Sequence, residues 1–261
     1  MNILEVKNLK VHFGASVAAG KAVDGVSFNI EKGKVFGIVG ESGSGKTLTA
    51  LSILRLISRP GNIVDGAIVF NGLDLLKLKE DDMLKIRGSR ISMVFQEPAS
   101  SFNPVFTIGE QIVETVIKHQ GVDANKARDI TLKFMRRAHI HDAERIFHDY
   151  PHQVSGGTKQ RAMIAMALVN SPEIVLLDEP TTALDVTIQA QILDLLKEII
   201  REEKLSALFI SHDLGIVSRM CENVAVMRKG KIVESGITKD VLRDPKEAYT
   251  VSLLQSAKAL S

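Results

Sequence analysis

One run of residues constrains this chain more than any other. Gly40, Glu41, Ser42, Gly43, Ser44, Gly45, Lys46 and Thr47 fill every fixed position of G-x-x-x-x-G-K-[ST]. The apolar residues 35–39 ahead of it suit a buried strand, and residues 48–57 continue as a helix. A strand that feeds a helix through a glycine loop aims backbone N–H groups and the positive helix end at one concave spot, where phosphate oxygens can sit. Gly43 and Gly45 leave room for that approach, Lys46 is placed to reach β and γ phosphates, and the Thr47 hydroxyl to ligate Mg²⁺. An ordinary glycine turn before a helix is the bland alternative, and the complete pattern in its proper setting speaks against it.

Composition removes several classes of function. A length of 261 residues buries a large core, and one α/β domain with a smaller inserted lobe is more economical than two equal domains. The chain has 33 basic against 31 acidic residues, no Trp and 2 Tyr, so neither an electrostatic footprint nor a stacking surface for nucleic acid stands out. Cys221 is the single cysteine, cannot form an internal disulfide, and reads as a buried inert thiol. No stretch approaches the about 18 apolar residues of a membrane span, and the start, with Glu5, has no signal-peptide core. The expectation is a chain that is soluble or peripheral to a membrane.

Along the chain, residues 3–11 and 22–30 read as strands joined across a stretch of small residues at 14–20. Phe13 closes the first strand, where its ring is either core or a face for a base. Arg59-Pro60-Gly61-Asn62 is a breaker, residues 66–70 a strand, 81–87 a short helix and 90–95 a strand that stops at Gln96. Residues 97–150 then read as mostly helical, with Ile108, Ile112, Val113 and Val116 at helical spacing, and so as an inserted lobe. Ser155 can cap the helix that Gly156 and Gly157 begin. That start is a second anion site or merely a capping turn.

Residues 174–177 form an apolar strand that ends in Asp178 and Glu179, carboxylates a chain does not set against buried strand residues without use. Beside a complete phosphate loop, Asp178 is the metal candidate and Glu179 the base that polarises attacking water. Residues 187–201 carry one apolar helix face, and 207–210 are a buried strand with His212 at its carboxyl end, the edge where open α/β sheets bind ligands. A hairpin at 223–235 around Lys229-Gly230 and a helical stretch at 242–260 broken by Pro245 complete the reading.

With these residues in hand, the chain resembles the ATP-binding subunits of ABC transporters over essentially its whole length. Residues 40–47 match the phosphate loop, Gln96 the Q-loop, Ser155-Gly156-Gly157 the signature motif, residues 174–179 the Walker B strand, Ala183-Leu184-Asp185 the D-loop and His212 the switch histidine. Phe13 matches the aromatic that stacks on adenine, where Tyr is commoner. The signature departs from Leu-Ser-Gly-Gly-Gln, since Val154 and Thr158 flank its Ser-Gly-Gly, which raises the question of equal turnover at the two composite ATP sites.

The resemblance implies an α/β fold, the P-loop NTPase fold of ABC ATPases. Its mixed-sheet core carries an N-terminal antiparallel β part and an inserted helical subdomain, with the core at about 1–96 and 166–261 and the subdomain at about 97–165. It also implies ATP and Mg²⁺ as ligands, with Thr47, Gln96 and Asp178 around the metal, and Asp185 among the nucleotide-contacting residues. The implied partners are a second, homologous ATP-binding subunit, two membrane permeases and an extracytoplasmic solute-binding protein, at the cytoplasmic face of the membrane. Gln96-Glu97-Pro98, Phe102-Asn103-Pro104 and Asp244-Pro245 with Ala248-Tyr249-Thr250 look like the importers for dipeptides, oligopeptides and nickel. Because the chain stops soon after Tyr249-Thr250 with no further cysteines, it is similar to the shorter nickel or metal-chelate members, with a short-peptide importer as the alternative and a soluble non-transport ABC ATPase as a distant one.

Overall fold

The computed structural model describes residues 1–14, 20–182 and 184–259, with side chains to residue 256. Most of the connection expected at 14–20, Ala183 of the Ala183-Leu184-Asp185 triplet and Leu260 at the end of the chain lie outside the described residues. In chain order the strands are β1 (Asn2–Phe13), β2 (Gly20–Glu31), β3 (Val35–Val39), β4 (Gly61–Phe70), β5 (Leu73–Asp74), β6 (Ile91–Val94), β7 (Ile174–Asp178), β8 (Ser206–Ser211), β9 (Asn223–Arg228) and β10 (Lys231–Ile237). The helices are α1 (Lys46–Ile53), α2 (Glu80–Leu84), α3 (Pro98–Ser101), α4 (Ile108–Gln120), α5 (Ala124–Arg137) and α6 (Ala143–His148). They continue with α7 (Gly156–Leu168), α8 (Val186–Glu203), α9 (Leu214–Met220), α10 (Thr238–Arg243) and α11 (Ala248–Ala259).

The backbone packs as two compact units, Met1–Met83 with Ser206–Ser261 and Leu84–Leu205. In the first, β2, β1, β4 and β5 form an antiparallel sheet in that order. The strand expected at 66–70 extends back to Gly61 because β1 pairs with it as far as Phe13↔Gly61. Beside this lies a mixed arrangement in the order β10, β9, β3, β8, with β3 parallel to β8 and β9, and β10 antiparallel to β9. Every residue of β3 and β8 is buried, as parallel strands covered on both faces require. Helix α9 lies close on β3: a Cβ at Gly37 would come within 2.9 Å of Val217 Cγ1 and 3.0 Å of Cys221 Sγ. Burial pushes the Cys221 thiol far up, so it stays protonated and inert. The helix expected at 48–57 begins at Lys46 and stops after Ile53, and Arg55 then turns the chain at φ 54.

In the second unit β6 and β7 are parallel, Ile91↔Ile174 through Val94↔Leu177. The helical residues between them are set by local chemistry. Thr107 and Glu110 close a reciprocal capping box on α4, and Gly121 ends that helix in the left-handed region at φ 63. Ile108, Ile112 and Val116 are buried on one α4 face, and Ile192, Leu195, Leu196 and Ile199 on one face of α8.

Candidate functional site

The phosphate loop leaves β3 and enters α1 within the first unit. Its glycines are required for different reasons. A Cβ at Gly40 would sit 2.1 Å from the Met227 carbonyl oxygen, and one at Gly45 2.5 Å from the Ala22 carbonyl oxygen, with φ +104 there. At Gly43 a Cβ would meet no atom within 4 Å, and the requirement is the backbone itself, at φ +76. Lys46, 4% exposed, donates its Nζ to the Gly40 carbonyl at 2.8 Å and the Glu41 carbonyl at 2.9 Å. The ammonium is thereby held at the loop by two fixed dipoles. Ser44 Oγ is buried without a hydrogen-bond partner among the described residues. A loop with no room for a side chain at Gly40 and Gly45, a held cation and an orphaned hydroxyl fit a phosphate group.

His212 stands at the same sheet edge. Strand β8 pairs with β3 up to Val39↔Ser211, so Gly40 and His212 are the next residues of adjacent parallel strands. His212 is exposed, and the turn that carries it is fixed by Ser211 Oγ, which accepts the Asp213 N–H at 2.9 Å, and by the Asp213 carboxylate, which caps α9. Phe13 is half-buried, and its ring lies close against the bare Cα of Gly61, where a Cβ would be 2.7 Å from the ring.

In the second unit polar residues also stand at or just beyond the strand ends. Gln96 follows β6 and Asp178 ends β7, with Asp178 buried at 2% exposure. Glu179 takes φ 45, uncommon for a residue with a side chain. Its carboxylate Oε2 accepts from Gln96 Nε2 at 3.1 Å and from Thr182 Oγ1 at 2.9 Å, while the Thr182 N–H donates to the Glu179 carbonyl at 3.2 Å. Thr47, Asp178 and Gln96 each carry a hard oxygen donor of the kind that Mg²⁺ takes.

Ser155 caps α7 by accepting the Thr158 N–H at 3.2 Å, and the two hydroxyls are 2.9 Å apart. Thr158 is thus used locally to hold the signature serine. Gly156 and Gly157 face the start of α8: a Cβ at Gly156 would meet Leu184 at 3.8 Å, and one at Gly157 would meet Ile188 at 2.9 Å. Asp185 is the N-cap of α8, its carboxylate accepting the Ile188 N–H at 3.0 Å. Three residues to which sequence reasoning gave no site role also hold site elements. Thr182 fixes Glu179; buried Gln160 of α7 donates to the Pro180 carbonyl at 2.6 Å; and Tyr249 of α11 accepts the Glu41 N–H at 3.2 Å. Neither threonine nor glutamine at such a position carries a signal in one sequence, because the partner is set by packing.

Fold and loop define a phosphate-loop nucleotide-binding protein. The family described as ABC transporter matches residues 23–182. The chain is 45% identical over 256 residues to the dipeptide transport ATP-binding protein DppD of Haemophilus influenzae, across 98% of this chain and 78% of that protein. To the oligopeptide transport ATP-binding protein AppD of Bacillus subtilis it is 47% identical over 255 residues, across 97% and 78%. The dimeric post-hydrolysis structure of the ATP-binding cassette MJ0796 bound to ADP and Pi superposes with a TM-score of 0.80 at 28% identity, over 90% of this chain and 98% of that one. The cbiO1 structure from Clostridium perfringens, part of the ABC transporter complex cbiONQ, gives 0.78 at 26%, over 99% and 98%. The chain belongs to the ABC transporter family, as an ABC-type ATPase. No helix among the described residues is long and apolar enough to cross a membrane.

Proposed function

We propose that this chain is the ATP-hydrolysing subunit of an importer for dipeptides or oligopeptides. The observation that carries the catalytic part is the Glu179 carboxylate, held by Gln96 and Thr182 directly after the buried Asp178. The cargo rests on the names of the relatives at 45% and 47% identity, which favour peptides. The nickel or metal-chelate reading rested on where the chain stops and finds no support in those relatives.

In this reading Lys46 and the loop N–H groups bind the β and γ phosphates, and Phe13 lies against adenine. Thr47, Asp178 and Gln96 would hold Mg²⁺, which would supply charge neutralisation on the phosphate oxygens. Glu179 orients or deprotonates the water whose oxygen attacks the γ phosphorus as the bond to the bridging oxygen breaks, and His212 senses the γ phosphate. Ser155, Gly156, Gly157 and Asp185 serve the nucleotide of a second ATP-binding subunit, a homologous but different chain. The domain division belongs to the same proposal: a core at about 1–96 and 166–261 with a helical subdomain at about 97–165 relaying motion, with Gln96, to two permeases. A solute-binding protein delivers cargo from outside, and the chain works at the cytoplasmic face.

The test is equilibrium titration of the full chain with labelled MgATP. Lys46→Ala is expected to weaken binding by at least about tenfold, the scale of one charge-assisted contact. Unchanged affinity would remove the loop from this role. For the cargo, the transporter reconstituted with its permeases and solute-binding protein should accumulate labelled dipeptide; uptake of Ni²⁺ with none of dipeptide would reverse the assignment.

A further inference from the structure

The tyrosine of the Ala248-Tyr249-Thr250 motif reaches the phosphate loop from 208 residues away. Tyr249 is 8% exposed, and its phenol oxygen accepts the Glu41 N–H at 3.2 Å. The ring and the start of its helix are each held. The Arg228 guanidinium lies over the ring at 4.6 Å, and Glu234 accepts the N–H groups of Lys246 at 2.8 Å and Glu247 at 3.3 Å, holding the chain where α11 begins. Burial, helped by the Glu41 carboxylate, outweighs the opposing Glu41 N–H and Arg228 guanidinium and holds the phenol above its ordinary value, so it remains neutral.

The N–H of Glu41 and the carbonyl of Gly40 belong to one planar peptide group and point in opposite directions. That carbonyl is one of the two that grip Lys46 Nζ, at 2.8 Å. One peptide plane is therefore pinned from both sides, by Tyr249 on its N–H and by Lys46 on its oxygen. We propose that Tyr249 is a positioning residue for nucleotide binding, its hydroxyl fixing the Gly40–Glu41 peptide so that the carbonyl holds the Lys46 ammonium ready for phosphate. Without the hydroxyl the peptide can rotate, and the ammonium must be ordered at the moment of binding instead of beforehand.

The inference rests on the phosphate-loop reading above. Tyr249→Phe keeps the ring under Arg228 and removes only the hydroxyl. The full chain carrying it should bind labelled MgATP about 2- to 10-fold more weakly, the effect of one neutral hydrogen bond. In the assembled transporter KM for ATP should rise by a similar factor with kcat unchanged, a split that mere loosening of α11 would not produce. Lys46→Ala measured alongside separates the two claims. If Lys46→Ala weakens binding and Tyr249→Phe binds as tightly as the wild type or tighter, the inference fails while the loop reading stands; if Lys46→Ala binds normally, both fall. Amide hydrogen exchange on the unmodified chain gives a test independent of any variant's folding. The Glu41 amide should be protected, and exchange at the rate of an open amide would overturn the proposal.

Discussion

Replacing Glu179 by Gln separates chemistry from structure because the two costs can be worked out apart. Both recorded donors, Gln96 Nε2 at 3.1 Å and Thr182 Oγ1 at 2.9 Å, meet the same oxygen, Oε2. A glutamine carbonyl can occupy that place and accept both. The loss is the charge assistance, about 1 kcal/mol for each bond in a buried setting and less at this half-exposed side chain. The backbone demand at φ 45 is the same for both residues. Stability should therefore fall by no more than about 2 kcal/mol. An amide cannot take a proton from water, and loss of a general base lowers turnover by about 10²- to 10⁴-fold, or roughly 3 to 5 kcal/mol of barrier. Phosphate release by the assembled transporter at saturating MgATP, beside MgATP titration and urea denaturation of the same variant, reads all three quantities. Turnover within about tenfold of wild type with binding and fold intact would remove Glu179 as the base.

Other expectations come from the same contacts. Gly45→Ala combines a backbone at φ +104 with a Cβ 2.5 Å from the Ala22 carbonyl oxygen and should destabilise by roughly 2–6 kcal/mol in urea denaturation. Gly43→Ala, with nothing within 4 Å of its Cβ, should lose only the backbone part, about 1–3 kcal/mol; the reverse order would refute the packing argument. Glu234 is pushed up by burial but held net below the ordinary carboxylate range by the N–H groups of Lys246 and Glu247. Its stabilisation is thus present above the unfolded value of about 4.3 and lost as pH falls below it. Glu234→Gln should lower the melting temperature at pH 7 and flatten that acid limb; a limb identical to wild type would exclude Glu234 as its source.

The elements that a single sequence makes legible here are those whose partners are near in the chain. The Lys46 contacts to Gly40 and Glu41, the Ser155 cap and the apolar face of α8 each form within a short stretch of chain. His212 could be placed at a ligand edge because a buried strand ends just before it, though only the register Val39↔Ser211 puts it beside the loop. Element ends were less legible. Strand β4 starts at Gly61, inside an expected breaker, because β1 supplies hydrogen bonds that the local residues do not announce.

Sequence by itself determined the chemistry: a phosphate loop, a strand ending in two carboxylates, and the family order of motifs. Tertiary structure alone decided what holds that chemistry in place. Gly40 is excluded from bearing a side chain by a carbonyl of β9, Glu179 is oriented by Gln96 and Thr182, Gln160 fixes the turn after it, and Tyr249 grips the loop's second residue. Motif residues are legible because the reaction dictates their type and spacing. Their supports are set by which strands and helices pack together, and a hydrogen bond spanning 208 residues leaves no trace in local pattern.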